Sequence, residues 1–238
     1  MRLLAWRGHA ALPVQRWERA IKLGDPLGPA PEPARPEGFD LPLWRRAGGL
    51  ARLACHVALP LTEAAPDVIL WATGLGELDA TGRFLDRLAD EGPATLSAAA
   101  FQGSLPGTAA AILSIAAAAR APERRCPVET FAGAQAGACA LLRAEVLLAL
   151  GRAQTALVVG AELPHPVVAA AGAPPPAGVA AAALFGRAVE GDPPGPWPAP
   201  WPEEPDPCRA FGTTGIGPLI AIIARAAAPD RSVDTPPG

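Results

Sequence analysis

The sequence contains no tyrosine, one methionine and, among its 20 basic residues, a single lysine, Lys22. Together with 30 prolines and 25 glycines, this composition is typical of GC-rich coding, so the arginines by themselves indicate no function. The formal net charge is −3. Because binding to phosphates needs a basic excess, the charge balance argues against a nucleic-acid-binding surface.

Long hydrophobic runs are also missing. The apolar run Leu3–Trp6 is too short for the central region of a signal peptide. The alanine-rich run Thr108–Ala119 falls short of the ~18 residues that a membrane-spanning helix needs. We therefore expect no membrane span and a cytoplasmic location.

Cysteine and histidine are few and scattered. The four cysteines form no CxxC pair, so they predict neither a zinc site nor a disulfide scaffold. None of the three histidines has a nearby carboxylate or a second histidine at ligand spacing, which leaves no candidate general base (His9, His56 and His165). We expect no metal and no cofactor.

What the chain does have is enough apolar sequence for one core. Its 238 residues are 50% hydrophobic and 18% charged, which excludes global disorder and predicts a single domain over residues 1–238. Proline-rich stretches at about 24–42 and 190–208 cannot be helix or central strand, so we predict surface loops there.

Strand and helix patterns alternate along the chain. Short apolar runs predict strands, and longer periodic segments predict helices. Strands are expected at Met1–Trp6, Asp67–Ala72, Cys126–Phe131, Thr155–Gly160 and, antiparallel to its neighbours, Val179–Val189. Helices are expected at Val14–Ile21, Leu43–Leu61, Asp79–Ala89, Pro106–Ala119 (buried on most of its circumference), Ala134–Leu150 (closed by Gly151) and Gly215–Ala228. This order predicts a layered α/β domain with a mixed, mostly parallel sheet and helices on both faces.

Two side chains could act as nucleophiles in a free-standing hydrolase or acyltransferase. Ser104 lies in GSLPG, one residue off the GxSxG spacing, and the sequence favours a helix N-cap ahead of Pro106. Cys139 lies a turn or more inside a predicted helix, where the sequence favours a small buried hydrophobe. The pair Gly74 and Gly76 lacks a third glycine, so we predict a turn there rather than a phosphate site.

Four segments between Leu43 and Glu162 follow one another in an order that resembles the β-ketoacyl synthase superfamily. They are LWRRAGGLARLA, VILWATGLGEL, SAAAFQGSLPG and VETFAGAQAGACALLRAEVLLALGRAQTALVVGAELP. Within it the chain is most similar to the short chain-length-factor branch found with aryl-polyene and related systems. The resemblance implies a thiolase-like half-domain, the N-terminal half of the ketosynthase fold.

The resemblance also places the position of the condensing cysteine. Counting back from Gly160-Ala161-Glu162 puts it at Ala134, and matching a Gln-Ala-Gly pattern puts it at Gln135. Neither residue is a cysteine, and the family's catalytic histidines belong to the second half of the fold. Where the branch often reads Ser-Val-His-Asn, this chain has SLPG from Ser104. The resemblance thus implies a partner that cannot condense acyl units by itself.

In the family such a partner pairs with an active β-ketoacyl synthase and shapes its acyl tunnel. The resemblance implies a heterodimer that meets the acyl carrier protein only indirectly, through the synthase. It suggests the strand Cys126–Phe131 and the helix Pro106–Ala119 as the interface. The candidate interface or tunnel residues are Phe101, Ser104, Glu129 and Phe131. A scaffold that binds the carrier protein without affecting chain length is the other alternative.

Overall fold

The protein forms a five-stranded mixed sheet. The computed structural model describes residues 1–10, 13–17, 31–123, 126–163, 178–188 and 215–227. The strands are β1 (Arg2–His9), β2 (Val68–Thr73), β3 (Val128–Ala132), β4 (Thr155–Glu162) and β5 (Val179–Gly186), in the order β1-β5-β4-β2-β3. Strand β2 pairs in parallel with β3 and β4, whereas β5 runs antiparallel to β4 and β1. The predicted mixed sheet is confirmed.

Seven α-helices accompany this sheet in the described part of the chain. They are α1 (Leu41–Arg46), α2 (Gly49–Thr62), α3 (Leu78–Glu91), α4 (Ala98–Gly103), α5 (Thr108–Arg120), α6 (Ala136–Ala149) and α7 (Gly217–Ala227). Single 3-10 turns lie at Val14–Arg16 and Pro93–Thr95.

Helices cover both faces of the sheet, as predicted. On one face α2 and α5 pack over alternate strand residues such as Trp71 and Leu157. On the other face α6 and α7 pack over Leu70 and Val158. Strand β5 is buried along its whole length. A fully buried leucine or isoleucine side chain stabilises a fold by about 1.5–3 kcal/mol. The apolar contacts between the sheet and these two helical layers therefore stabilise the folded protein.

The single helix predicted at Leu43–Leu61 is wrong, since two helices occupy this region. Ala47 and Gly48 have extended backbone, with ψ of 128° and 166°, and this interrupts the helical hydrogen bonds. The first helix begins earlier than predicted because the Asp40 carboxylate accepts a hydrogen bond from the Leu43 amide at 2.7 Å. The proline-rich loop therefore ends at Asp40.

The predicted role of Ser104 as an N-cap is also wrong. A short helix, α4, precedes it, with Ser97 as the N-cap. Ser104 ends that helix, and its hydroxyl donates to the Phe101 carbonyl at 2.7 Å. The N-cap of α5 is Gly107.

Two burial predictions need correction. Helix α5 is buried on one face only, because Ile115 on its outer face is 56% exposed. Cys139 is exposed, although a buried hydrophobe was expected. In both cases the next layer of the fold covers fewer faces of the helix than its apolar composition suggested.

Several predictions fall outside the described residues. They are the helix at Val14–Ile21 beyond Trp17, the loop residues from 24 to 30, His165 and the stretch 190–208. From residue 31 to Asp40 the chain is a loop apart from one turn, as predicted.

Candidate functional site at the carboxyl ends of the parallel strands

Three parallel strands end at the same edge of the sheet. The last residues of β2, β3 and β4 are Thr73, Ala132 and Glu162. In open α/β sheets, ligands bind outside the carboxyl ends of the strands. The turns that follow these strands are therefore where functional groups are expected to meet.

The Glu162 carboxylate holds the turn after β2. It is 1% exposed and accepts hydrogen bonds from the Gly74 amide and, at 3.3 Å, from the Leu75 amide. The Thr73 hydroxyl approaches it at 3.5 Å and accepts from the Gly76 amide at 3.0 Å. Burial raises the pKa of Glu162 to about 7, against the opposing effect of these donors. The predicted turn at Gly74 and Gly76 is thus held by hydrogen bonds to the buried Glu162 carboxylate.

Close backbone contacts lock the turn between β3 and α6. Gly133 has a φ of +102°, and the Gly137 amide donates to the Gly215 carbonyl at 2.7 Å. A Cβ atom on Gly215 would lie 2.5 Å from the Gly133 carbonyl oxygen and 2.8 Å from the Gly74 Cα. Only glycine permits this approach, so three separate segments meet here.

Both positions at which the resemblance places the condensing cysteine lie in this turn. Ala134 and Gln135 are exposed, and Gln135 is the N-cap of α6 without a side-chain capping bond. Neither side chain can attack a thioester, because that step needs a thiolate or an equivalent nucleophile. Cys139 lies one helical turn further on, on the exposed side of α6.

Within the described segments, the hydroxyl of the other candidate nucleophile, Ser104, bonds to a backbone carbonyl and not to a base. Its hydroxyl donates to the Phe101 carbonyl, and its own carbonyl accepts from the Thr81 hydroxyl at 2.7 Å. Phe101 is 52% exposed and lies 5.8 Å from the Phe84 ring. This corner joins α3 and α4 and places no histidine of the described segments against Ser104.

His9 and His56 meet in space, which sequence reasoning missed. Their rings are 4.8 Å apart, and they contact the carbonyl oxygens of Pro31 at 2.9 Å and Ala34 at 3.1 Å. The contact brings β1 against α2, a pairing that sequence spacing does not reveal. Burial is the main cause that lowers the pKa of His56, with smaller contributions from His9 and Arg7.

Glu129 and Phe131 project from the same face of β3. The Glu129 carboxylate accepts both ends of the Arg143 guanidinium of α6, at 2.8 and 2.9 Å. This pairing lowers the pKa of Glu129. Phe131 is half-buried and packs against the core beneath α6. In the described residues β3 pairs only with β2, so it forms an edge of the sheet.

Glu77, which follows the turn at Gly74 and Gly76, is buried beside α5. It is 6% exposed, and the Ala109 amide donates to its carboxylate. Its second oxygen, Oε1, is buried without a hydrogen-bond partner. Burial raises the pKa of Glu77 to about 7. A charged residue directly after a buried strand and turn was the only signal in the sequence.

Two further observations concern the described residues alone. No cluster of three or more histidine, cysteine, aspartate or glutamate side chains that could hold a metal ion occurs among them. Their helices are all too short or too polar to cross a bilayer.

The fold is a mixed sheet between two helical layers, with a glycine-containing turn from the edge strand β3 into α6. The family itself follows from the sequence: residues 31–192 match the model of the β-ketoacyl synthase N-terminal domain. Because this match spans more than half of the chain, the protein belongs to that family. No curated protein sequence matches it.

Solved ketosynthases have the same fold. The complex of a ketosynthase, ApeO, with its chain length factor, ApeC, from Xenorhabdus doucetiae superposes with a TM-score of 0.61 at 22% identity, covering 79% of each chain. The ishigamide ketosynthase/chain length factor gives 0.55 at 18% identity, covering 96% of this chain and 82% of the other. A β-ketoacyl synthase from Burkholderia phymatum STM815 gives 0.54 at 18% identity, covering 79% and 59%.

Proposed function

We propose that this protein is a chain length factor, a ketosynthase-like subunit that pairs with an active β-ketoacyl synthase and does not condense acyl units itself. The observation that carries the proposal is the turn between β3 and α6. The backbone of this turn is fixed by close glycine contacts. The turn presents Ala134 and Gln135 where the resemblance places the nucleophile. Two of the similar solved structures contain a ketosynthase with a chain length factor.

We place the contact with the synthase at the outer edge of β3, which pairs with no other strand of the described residues. An edge strand offers unpaired amides and carbonyls to another chain. The helix beside it, α6, adds exposed apolar side chains. Leu142 and Val146 of α6, and Leu150 directly after it, are exposed at four-residue spacing. We place the synthase on this surface, which we call the β3 edge surface.

The proposed tunnel wall lies directly under that surface. Phe131 would close the end of a tunnel that enters from the synthase, with Glu129 held against Arg143 beside it. Chain length would then follow the volume left open, since forcing an extra methylene into a closed pocket costs about 1–3 kcal/mol. The carrier protein would contact the synthase rather than this subunit.

Co-expression with the ketosynthase encoded nearest to this protein tests the pairing. We expect a 1:1 complex in size-exclusion chromatography with mass determination, and we expect Leu142→Arg to abolish it. Leu85→Arg, an equally exposed leucine on α3, is the matched control and should leave the complex intact. A monomer in the presence of the synthase, or equal loss with both variants, would contradict the proposal.

Product analysis tests the tunnel. In the intact complex, Phe131→Ala should lengthen the product and Phe131→Trp should shorten it, because the first enlarges the space and the second reduces it. Complex formation by both variants is the control for folding. A carrier-binding scaffold predicts instead that the product length does not change.

A further inference from the structure

Residues 31–40, which we call the strap, form a loop that contacts β1 and α2. Two histidines hold the backbone of its first half. His9, the last residue of β1, contacts the Pro31 carbonyl oxygen at 2.9 Å, and His56 of α2 contacts the Ala34 carbonyl oxygen at 3.1 Å. Because a carbonyl oxygen only accepts hydrogen bonds, each imidazole donates an N–H group there.

The two imidazole rings also contact each other. Their centroids are 4.8 Å apart, and their planes meet at 71°. An imidazole can donate an N–H group to a carbonyl in its neutral or its protonated form, so one proton on the pair leaves both contacts with the strap intact. A second proton would place two like charges at this distance, and each charge opposes protonation of the other ring.

The charged groups around the pair do not offset this repulsion. Arg7 of β1 adds a positive charge that opposes protonation of His56. On the strap, the Glu32 carboxylate is already paired with Arg52 of α2 at 2.8 Å, and Arg35 donates to a carbonyl of the strap itself. Among the described residues, no carboxylate forms an ion pair with either histidine.

The second half of the strap is held by groups that do not titrate in this range of pH. Arg120, at the end of α5, donates to the Glu37 carbonyl and, at 2.8 Å, to the Leu59 carbonyl of α2. Phe39 is buried, and its ring centroid lies 5.3 Å from that of Trp44. An arginine side chain keeps its charge, and apolar burial involves no proton, so acid acts on the two halves differently.

We propose that residues 31–35 form a pH-dependent clasp, which is closed while the pair of His9 and His56 carries at most one proton and opens when both imidazoles are protonated, whereas residues 37–40 stay in place. Opening changes no covalent bond and takes up one proton. The clasp goes beyond the proposed pairing with a synthase and does not depend on it.

The direction of the response follows from the burial of His56. Burial is the main cause that holds the pKa of this ring below its ordinary value of 6.5 while the strap is closed. Acid therefore favours the form in which the ring is exposed to water. The ratio of open to closed strap should rise roughly tenfold for each pH unit below 6.5, until the closed form binds the second proton as well.

Nuclear magnetic resonance of the full-length protein between pH 8 and pH 5 tests the clasp. As the pH falls, the amide signals of Glu32, Ala34 and Arg35 should move towards random-coil positions, and relaxation dispersion should report the rising open fraction while it is still small. The amide signals of Gly38 and Phe39 are the internal control and should stay in place. An open fraction that does not change with pH, or equal movement of both halves, would overturn the proposal.

Substitutions separate protonation of the pair from a general effect of acid. His56→Gln keeps an N–H donor and carries no charge, so it should lower the open fraction at pH 5 by roughly tenfold or more. His9→Gln removes the second charge and should also lower it. Glu32→Gln should loosen the strap equally at pH 5 and pH 8, because it removes only the ion pair with Arg52. A full acid response in both histidine variants would contradict the proposal, as would an equal reduction in the control His165→Gln.

Discussion

Replacing Glu77 by glutamine should stabilise the protein at pH 8 and have a much smaller effect at pH 5. Burial raises the pKa of this carboxyl from 4.5 to about 7 in the folded protein. The folded state thus holds a proton that the unfolded state releases between these two values. Its contribution to stability is fully present below pH 4.5 and is lost as the pH rises through 7.

The size of the effect follows from the same shift. Each pKa unit corresponds to about 1.36 kcal/mol, so the ionised carboxyl costs about 3 kcal/mol at pH 8 relative to low pH. Glutamine avoids that cost because it is neutral at both pH values. Its amide can accept from the Ala109 amide while its NH₂ group takes the place of the unpartnered Oε1. We expect a net gain of about 2–3 kcal/mol in the free energy of unfolding at pH 8.

Denaturation in guanidinium chloride, followed by fluorescence of the six tryptophans, measures this directly. The difference between the variant and the unmodified protein isolates Glu77 from other titrating groups such as Glu162. Glu63→Gln, at an exposed position after α2, is the control. At pH 5 and at pH 8 its free energy of unfolding should equal that of the unmodified protein. An equal gain for Glu77→Gln at pH 5 and pH 8, or a loss at both, would refute the reasoning.

Three further predictions concern the contacts that hold the site. Glu162→Gln should lower the free energy of unfolding by about 1–3 kcal/mol at pH 5 in the same denaturation assay, because one amide oxygen cannot replace a carboxyl group that accepts from several donors. The loss should be smaller at pH 8, because the variant also removes the cost of ionising a buried group whose pKa is raised to about 7; a larger loss at pH 8 than at pH 5 would contradict this. Gly137→Ala should lower the free energy of unfolding by about 1–3 kcal/mol, since its Cβ would lie 2.8 Å from the Gly215 carbonyl oxygen; an unchanged midpoint would show that the backbone yields there. Because the pKa of His56 is lowered, its contribution is present above pH 6.5 and is lost as the pH falls below that value, so His56→Gln should reduce the acid sensitivity of the melting temperature and leave it unchanged at pH 8.

Local pattern was sufficient for most of the architecture. Buried strands such as Thr155–Glu162 are short apolar runs between turn residues, and their alternation with helical segments predicted the mixed sheet with helices on both faces. The helix predicted at Ala134–Leu150 begins at Ala136, within two residues of the expected start. These features depend on residues close together in the chain, so the sequence was enough to predict them.

The sequence-based predictions were wrong where contacts with another segment of the chain determine a helix boundary or a residue's burial. The break at Ala47 and Gly48 carries no proline, and it separates two helices that pack differently. Cys139 was expected to be a small buried hydrophobe inside a helix, yet none of the described residues covers its side of α6. Apolar composition shows that a helix can be buried, and only its neighbours determine which faces are.

The sequence alone thus determined the fold class and the family, because composition, periodicity and motif order are properties of the chain itself. Tertiary structure alone decided that His9 meets His56, that the Glu162 carboxylate accepts from the turn after β2, and that Glu77 is buried beside α5. These contacts join residues that are distant in sequence, and the burial that shifts their pKa values exists only when the layers are assembled.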